Sequence, residues 1–509
     1  MRILLINPPL PERTYPGKAM ALDYLVSVLL ENWYDVDISD LDIVGKDNLF
    51  PKLKQYQPDV VGITNLSIQN DGANEIAKLV KEFNPNILTI KGGFHELFGY
   101  EYSLRYHHYY VDYVVVGEGE KTIIEILDAY TQGVLNTRKK TISGIAYYEN
   151  GKIHFTSKRI PLVPEELNTI IPKRIFYNKL YNFDVFDGKK TAQMMTVRGC
   201  NNSCNFCMES KTGPIERKRS IDSICAEIDE LTNNDYEAIY FDDSTFTRDR
   251  DRVIKICKLF KDKYPDLIWG CNTRVDYLDE ELIDLMEKSR CVYLFTGFES
   301  VVPEILIGLN KTHFPSRYLQ NSKVIYNYLA KSSIKSSAFL IFGAAKKVQS
   351  NPVQYAPESF EDVKNSINFV IQELKPFYIS MNVLRLLPGA PFSDNEKFKC
   401  IRPNGDVIHA GYYDKEWYRA NNQKDIRTRH HIYRAFEGRG SVVPPQMIPE
   451  YCYNIFKYAI DAVNGFNSTN HNYSCKIVVD KAFENAYMKE KNGNYAVVPF
   501  NEIAEDGSL

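Results

Sequence analysis

No run of the 509-residue sequence stays apolar for the roughly 18 residues that a membrane-crossing helix needs. A helical membrane span is therefore not expected. Charge of one sign is not in excess either: 62 Lys and Arg stand against 65 Asp and Glu, a net −3. A broad basic face for nucleic acid is excluded on that balance, and the cluster Glu216-Arg217-Lys218-Arg219 is short enough to be a solvated rim. Cysteine pairs of the disulfide kind are missing too, because seven of the ten cysteines are scattered without pairing spacings. That pattern fits reduced thiols and a cytoplasmic protein. Met1–Ile6 already reads as a buried strand closed by Asn7-Pro8-Pro9, so no secretory leader is expected.

What is present is a glycine-led loop, Arg198-Gly199-Cys200-Asn201-Asn202-Ser203-Cys204-Asn205-Phe206-Cys207, with three cysteines at C-x3-C-x2-C spacing. Thiolates are soft ligands that favour iron–sulfur clusters or zinc. Zinc usually adds a second Cys or Cys/His pair about 15–20 residues on, and here only Cys225 follows, in a helix-like run. The spacing points to a three-thiolate iron–sulfur cluster with one iron open to a small molecule, zinc and uncommitted buried thiols being the alternatives.

The triplet, with an aromatic before its third cysteine, resembles the signature of the radical S-adenosylmethionine (SAM) enzymes. The resemblance implies that Cys200, Cys204 and Cys207 hold a 4Fe–4S cluster and that Phe206 lies against the adenine of SAM. It also implies an external electron donor of flavodoxin or ferredoxin type.

Residues 1–130 alternate apolar runs with helical periods. Ile3–Ile6, Val36–Ile38, Val60–Thr64, Ile87–Ile90 and Tyr113–Val116 read as strands, with helices such as Ala21–Leu30 and Ala73–Phe83 between them. This predicts a doubly wound, Rossmann-like parallel sheet that binds ligands beyond the carboxyl ends of its strands. The loops there carry Asn7 and Pro9, then Thr64, Asn65, Leu66 and Ser67, then Gly92, Gly93 and His95, then Gly117, Glu118 and Gly119. With the Pro58–Ile63 strand they resemble, in the same order, the cobalamin-binding domain of the cobalamin-dependent radical SAM enzymes. That resemblance implies cobalamin as a cofactor and these loop residues as its contacts. No Asp-x-His-x-x-Gly motif occurs, so the usual lower axial histidine is not expected. For His95 the alternative is a loop imidazole hydrogen-bonded to neighbouring backbone.

Residues 131–190 read as a linker or small β cover, with Asn150-Gly151 as a hairpin turn. Residues 191–395 repeat a strand-then-helix unit through Ala192–Val197, Ala238–Phe241, Leu267–Cys271, Val292–Thr296, Ser336–Phe342 and Phe377–Val383. Six units fall short of a closed barrel and predict a partial (βα)6 barrel, with its chemistry at the carboxyl ends of the strands. Asp242, Asp243, Asn272, Arg274, Glu299 and Ser300 are the candidate SAM contacts there. A carboxylate can bind the SAM ammonium, Glu299 the ribose hydroxyls, and Arg274 a carboxylate. Alternatively, Asp242 and Asp243 cap the next helix and Arg274 pairs with Asp276. After Gly343 the segment Ala344–Ala356, with Lys346 and Lys347, intervenes where the family turns directly, and is expected to shape the substrate entrance.

Residues 396–509 are expected to form a small α-rich domain, helical over Ile448–Val463 and dense in aromatic and basic residues from Tyr412 to Arg434. The chain therefore reads as an α/β protein in which a cobalamin-binding domain is followed by a radical SAM barrel and a substrate-covering domain. The resemblance implies a methyltransferase that uses SAM twice and passes the methyl of methylcobalamin to an unactivated carbon of a small-molecule or peptide substrate. A radical cyclase, rearranging or oxidising enzyme is the alternative, and a corrinoid or iron–sulfur sensor a third.

Overall fold

Along the first strand, Ile3 and Leu5 join one apolar cluster while Leu4 and Ile6 join another, and all four are at most 1% exposed. Successive side chains of a strand point to opposite faces, so this strand is covered on both. Each such burial contributes about 1.5–3 kcal/mol. The computed structural model describes residues 1–10, 19–209, 213, 215–344, 346–350, 353–356, 358–384, 389–394, 400–401, 407–408, 449–469 and 475–478. The aromatic and basic segment Tyr412 to Arg434 lies outside the described residues.

Contact density divides the chain into two units, the first taking in Met1–Gly199 and Ile215–Tyr240 and the second Cys200–Pro214 and Phe241–Ala410 together with Pro449–Thr469. In the first unit the strands are β1 (Arg2–Asn7), β2 (Asp35–Asp40), β3 (Val60–Thr64), β4 (Leu88–Gly92), β5 (Tyr113–Val115), β6 (Ile145–Glu149) and β7 (Lys152–Phe155). Their order is β2-β1-β3-β4-β5-β6-β7. The first five pair in parallel, as the sequence predicts. The order reverses between β1 and β3, which is where such sheets open their ligand crevice.

The hairpin read as part of a linker or separate cover is instead an extension of this sheet, since β6 pairs antiparallel with β5 and β7 with β6. Pairing along β5 removes an open edge. Asn150 and Gly151 both take positive φ, 51° and 75°, as a two-residue hairpin turn of this kind requires.

In the second unit Ile268–Arg274, Cys291–Glu299, Lys335–Phe342, Tyr378–Val383 and Lys476–Val478 lie side by side in parallel. Thr191–Met194 and Ala238–Phe241 are strands as well, so each of the six predicted barrel strands is present. The seventh strand, Lys476–Val478, is too short to read from the sequence. The helix expected over Ile448–Val463 runs from Pro449 to Thr469. Ala344–Ala356, expected as an inserted segment, contains an antiparallel pair, Lys346–Ser350 with Val353–Ala356. Lys346 reaches Asp362 at 2.7 Å, on the helix Phe360–Phe369.

Candidate functional site

The cysteine loop is held by backbone and amide contacts on every side within its unit. Cys200 N–H donates to the Gly213 carbonyl at 2.7 Å, and Asn205 donates through its backbone to Leu309 and through its side chain to Gly308. Asn310 returns a hydrogen bond to the Ser203 carbonyl at 2.7 Å. Cys207 N–H closes a turn on the Cys204 carbonyl. Phe206 packs against an apolar cluster that includes Val302, Ile305, Ile341 and Phe392.

Cys200 and Cys204 are 7% exposed and Cys207 is half-buried. Burial pushes the Cys204 thiol up, against the pull of Lys311 and Arg274, and pushes Cys207 up to about 12. Among the described residues no three His, Cys, Asp or Glu side chains converge as they would on one metal ion. A cubane asks for a different arrangement, because each thiolate holds a different iron and the three surround a volume rather than a point. Three thiols on one loop, without a fourth Cys or a His beside them among the described residues, fit that cluster better than a closed tetrahedral zinc site.

The strand-end residues divide. Glu299 sits at a positive φ of 75°, at a bulge in the pairing of Cys291–Glu299 with Lys335–Phe342. Its Oε1 pairs with Lys311 Nζ at 2.9 Å, both side chains being buried, and its Oε2 has no hydrogen-bond partner among the described residues. Gly297 is needed beside it, since a Cβ there would lie 2.5 Å from Glu299 Oε1. An open acceptor on a strained, buried carboxylate at a strand end fits a hydroxyl-bearing ligand such as the SAM ribose.

Asp242 accepts from Asn272 Nδ2 at 3.0 Å, and burial raises its carboxyl to about 6, with Asp243 adding to the rise and the Asn272 bond opposing it. Neither Asp242 nor Asp243 is the cap of the next helix: Asp249 takes that place, accepting from Arg252 N–H. Arg274 is engaged by Asp276 through two bonds of 2.9 and 2.8 Å, so the fork expected to meet a SAM carboxylate already holds one. Ser300 Oγ accepts from Val302 N–H. Gly343, at φ 74°, donates its N–H to Glu358.

In the first sheet, Asn7 at the end of β1 bonds Asp40 and Gln69, and Gln69 also holds the Pro8 carbonyl. A Cβ at Gly72 would lie 3.3 Å from the Pro9 carbonyl oxygen, so Pro9 is tightly packed. Thr64 and Ser67 are half-buried and Leu66 is exposed. Asn65 is fully buried, donating to Asn70 and Glu96, while its Oδ1 has no partner among the described residues. That orphaned acceptor, at the switch of strand order, fits a polar ligand edge. Gly92 ends β4, and Gly93 has φ +102° with room for no side chain: a Cβ would stand 2.8 Å from the backbone N and O of Asn65. Beneath these loops Lys91 and Glu96, both fully buried, pair at 3.0 Å, and Lys91 also donates to Asn74 and Ser103. Gly117 has φ +115° with nothing within 4 Å of its Cβ position, and Gly119 precedes the helix Glu120–Thr131.

Glu118, expected at the cofactor, is instead taken up by ion pairs with Arg198 at 3.2 Å and Arg217 at 2.7 Å. Burial works against its charge, and the two guanidiniums outweigh it and hold the carboxyl below its usual range. His95 is 1% exposed, and its Nδ1 meets the Ser67 hydroxyl at 3.2 Å. Gly99 makes its space, since a Cβ there would overlap the ring at 2.3 Å. Burial lowers the imidazole to about 4, with Lys91 adding to the fall and Glu96 opposing it. A base depressed in the folded state is protonated first in the unfolded chain. Stability is therefore full above about pH 6.5 and falls as pH drops toward 4, by up to about 3 kcal/mol. Urea midpoints at pH 7 and 4.5 should show this loss, and His95→Gln should reduce it; an equal loss in the variant would assign the titration elsewhere.

Sequence reasoning missed Lys311, Arg248 and Tyr277, which stand beside the thiol loop without a motif of their own. It also passed over Lys91, although a lysine inside an apolar strand signals a buried partner.

The B12 binding domain family matches residues 10–127 and the Radical SAM superfamily residues 194–343. The chain is 32% identical over 405 residues to the uncharacterized methyltransferase PH0819 of Pyrococcus horikoshii, covering 76% of this chain and 82% of that one. It is 28% identical over 304 residues to the anaerobic magnesium-protoporphyrin IX monomethyl ester cyclase of Rubrivivax gelatinosus, covering 59% of this chain but only 54% of the cyclase. The solved cobalamin-dependent SAM radical enzyme OxsB, with aqua-cobalamin and SAM bound, superposes with a TM-score of 0.63 at 14% identity over 99% of this chain and 82% of that one. Two family matches in the same order as the two cofactor-bearing segments, and a relative matched over most of both lengths, place this chain among the cobalamin-dependent radical SAM enzymes, whose cofactors are a 4Fe–4S cluster, SAM and cobalamin.

Proposed function

We infer that the chain is a C-methyltransferase acting on an unactivated carbon of a small-molecule or peptide substrate, reduced by an external donor of flavodoxin or ferredoxin type in the cytoplasm. The observation that carries the reading is the match to the methyltransferase PH0819 along 82% of that relative and 76% of this chain. When bound, the cluster supplies one electron to SAM and the corrinoid carries a methyl group.

The chain's own part is binding and orientation. Cys200, Cys204 and Cys207 would hold the cluster, and the buried setting of the first two keeps water from it. Glu299 Oε2 would accept from a ribose hydroxyl, while the 2.9 Å contact of Lys311 Nζ with Oε1 fixes the carboxylate in place. Asp242, its carboxyl raised to about 6 by burial, would accept a hydrogen bond from a ligand ammonium. Asn65 and the side-chain-free Gly93 would receive the corrinoid at the sheet's switch point.

The cyclase of Rubrivivax gelatinosus favours a second reading, ring formation without methyl transfer, though it is matched over only about half its length. Extracts of the source cell given methyl-labelled SAM and the reconstituted protein separate the two. Label in a carbon-bound methyl supports methyl transfer; substrate loss without labelled product supports the second reading.

A further inference from the structure

Two of the three cluster thiols already accept hydrogen bonds from side chains outside the ligand set. Asn202 Nδ2 donates to Cys200 Sγ at 3.3 Å, and Arg274 Nη1 to Cys204 Sγ at 3.5 Å. Neither donor is loosely placed. Asn202 Oδ1 accepts from Arg248 Nη1 at 3.1 Å and from Tyr277 OH at 2.9 Å. Only donors meet that end of the amide, so its nitrogen is fixed toward Cys200 and the Thr245 hydroxyl, which spends its own proton on the Ser244 carbonyl. Arg274 is locked by both oxygens of Asp276 and by the Lys311 carbonyl at 2.7 Å. The Tyr277 ring lies 5.6 Å from each of the two guanidiniums and ties the two donors into one assembly.

We propose that Asn202 and Arg274, held in place by Tyr277, are positioning residues that raise the reduction potential of the cluster bound by Cys200 and Cys204. The physical ground is the charge the cluster gains when reduced. Added electron density spreads onto the ligand sulfurs, and N–H donors or a guanidinium facing them stabilise the reduced form more than the oxidised one. The effect falls at a site where an outside one-electron donor must push an electron in, so a higher potential makes that reduction easier. The proposal rests on the cluster assignment.

The test is a redox titration of anaerobically reconstituted full-length protein, followed by the EPR signal of the reduced cluster, with iron content measured alongside. Asn202→Ala removes one sulfur donor and should shift the potential downward, lowering the reduced-to-oxidised ratio at a fixed solution potential about tenfold, which is about 59 mV for one electron. Tyr277→Phe keeps the ring and removes one donor that orients Asn202, so a smaller shift of the same sign is expected. It covers the case in which the first variant fails to fold. Cys225→Ala should match the wild type. Full iron with unchanged potentials in both variants would overturn the proposal while leaving the cluster assignment standing. A wild-type protein without cluster iron would overturn both.

Discussion

Replacing Cys200, Cys204 or Cys207 singly by alanine should take reductive SAM cleavage to background, while Cys225→Ala leaves it intact. Losing an outer-shell partner of a metal site typically costs about 10–100-fold, and removing one of only three direct ligands should exceed that range. Cys225 lies on the helix Ile221–Asn233, in a different unit from the thiol loop, which makes it a fair control. The variants should also lose cluster iron and the charge-transfer absorption of an iron–sulfur centre. Stoichiometric zinc in the wild type, with no such absorption, would sink the cluster assignment.

Gly93→Val should release the corrinoid without disturbing the cluster. At φ +102° a side chain is strained by about 1–3 kcal/mol, and its Cβ would also press on the Asn65 backbone at 2.8 Å, so the Thr64–Ser67 segment must move. If that cost falls on the bound state, affinity drops by about 10–100-fold, enough to lose cobalamin during gel filtration that the wild type survives. Gly133→Ala tests strain alone, because Gly133 has φ +70° but nothing within 4 Å of its Cβ position; it should retain the corrinoid. Retention by Gly93→Val would remove this loop from the site.

How much of this was legible in the sequence follows the range of the interactions. The strands that are apolar on both faces, such as β1 and β3, and the thiol triplet are local patterns, and they stand where the residues put them. Asn150-Gly151 announces its hairpin locally, yet that β6 joins β5 is a pairing between Ala146 and Val114 that no local pattern encodes. Glu118 shows the same limit. Its partner Arg217 is 99 positions away, so a turn that reads as a cofactor loop has its carboxylate committed elsewhere. At the strand ends, Arg274 with Asp276 was readable because two positions separate them. Lys311, which completes the Glu299 site from beyond the helix Pro303–Gly308, carried no such signal.

The central claim, methyl transfer at an unactivated carbon, is tested most directly by the two SAM-derived products of turnover by the reconstituted full-length protein. One SAM gives up its methyl and another is cleaved to make the hydrogen-abstracting radical. S-adenosylhomocysteine and deoxyadenosine should therefore accumulate together, in step with a carbon-bound methyl that carries label from methyl-labelled SAM. Deoxyadenosine formed in step with substrate loss, with neither S-adenosylhomocysteine nor labelled product, would contradict the account.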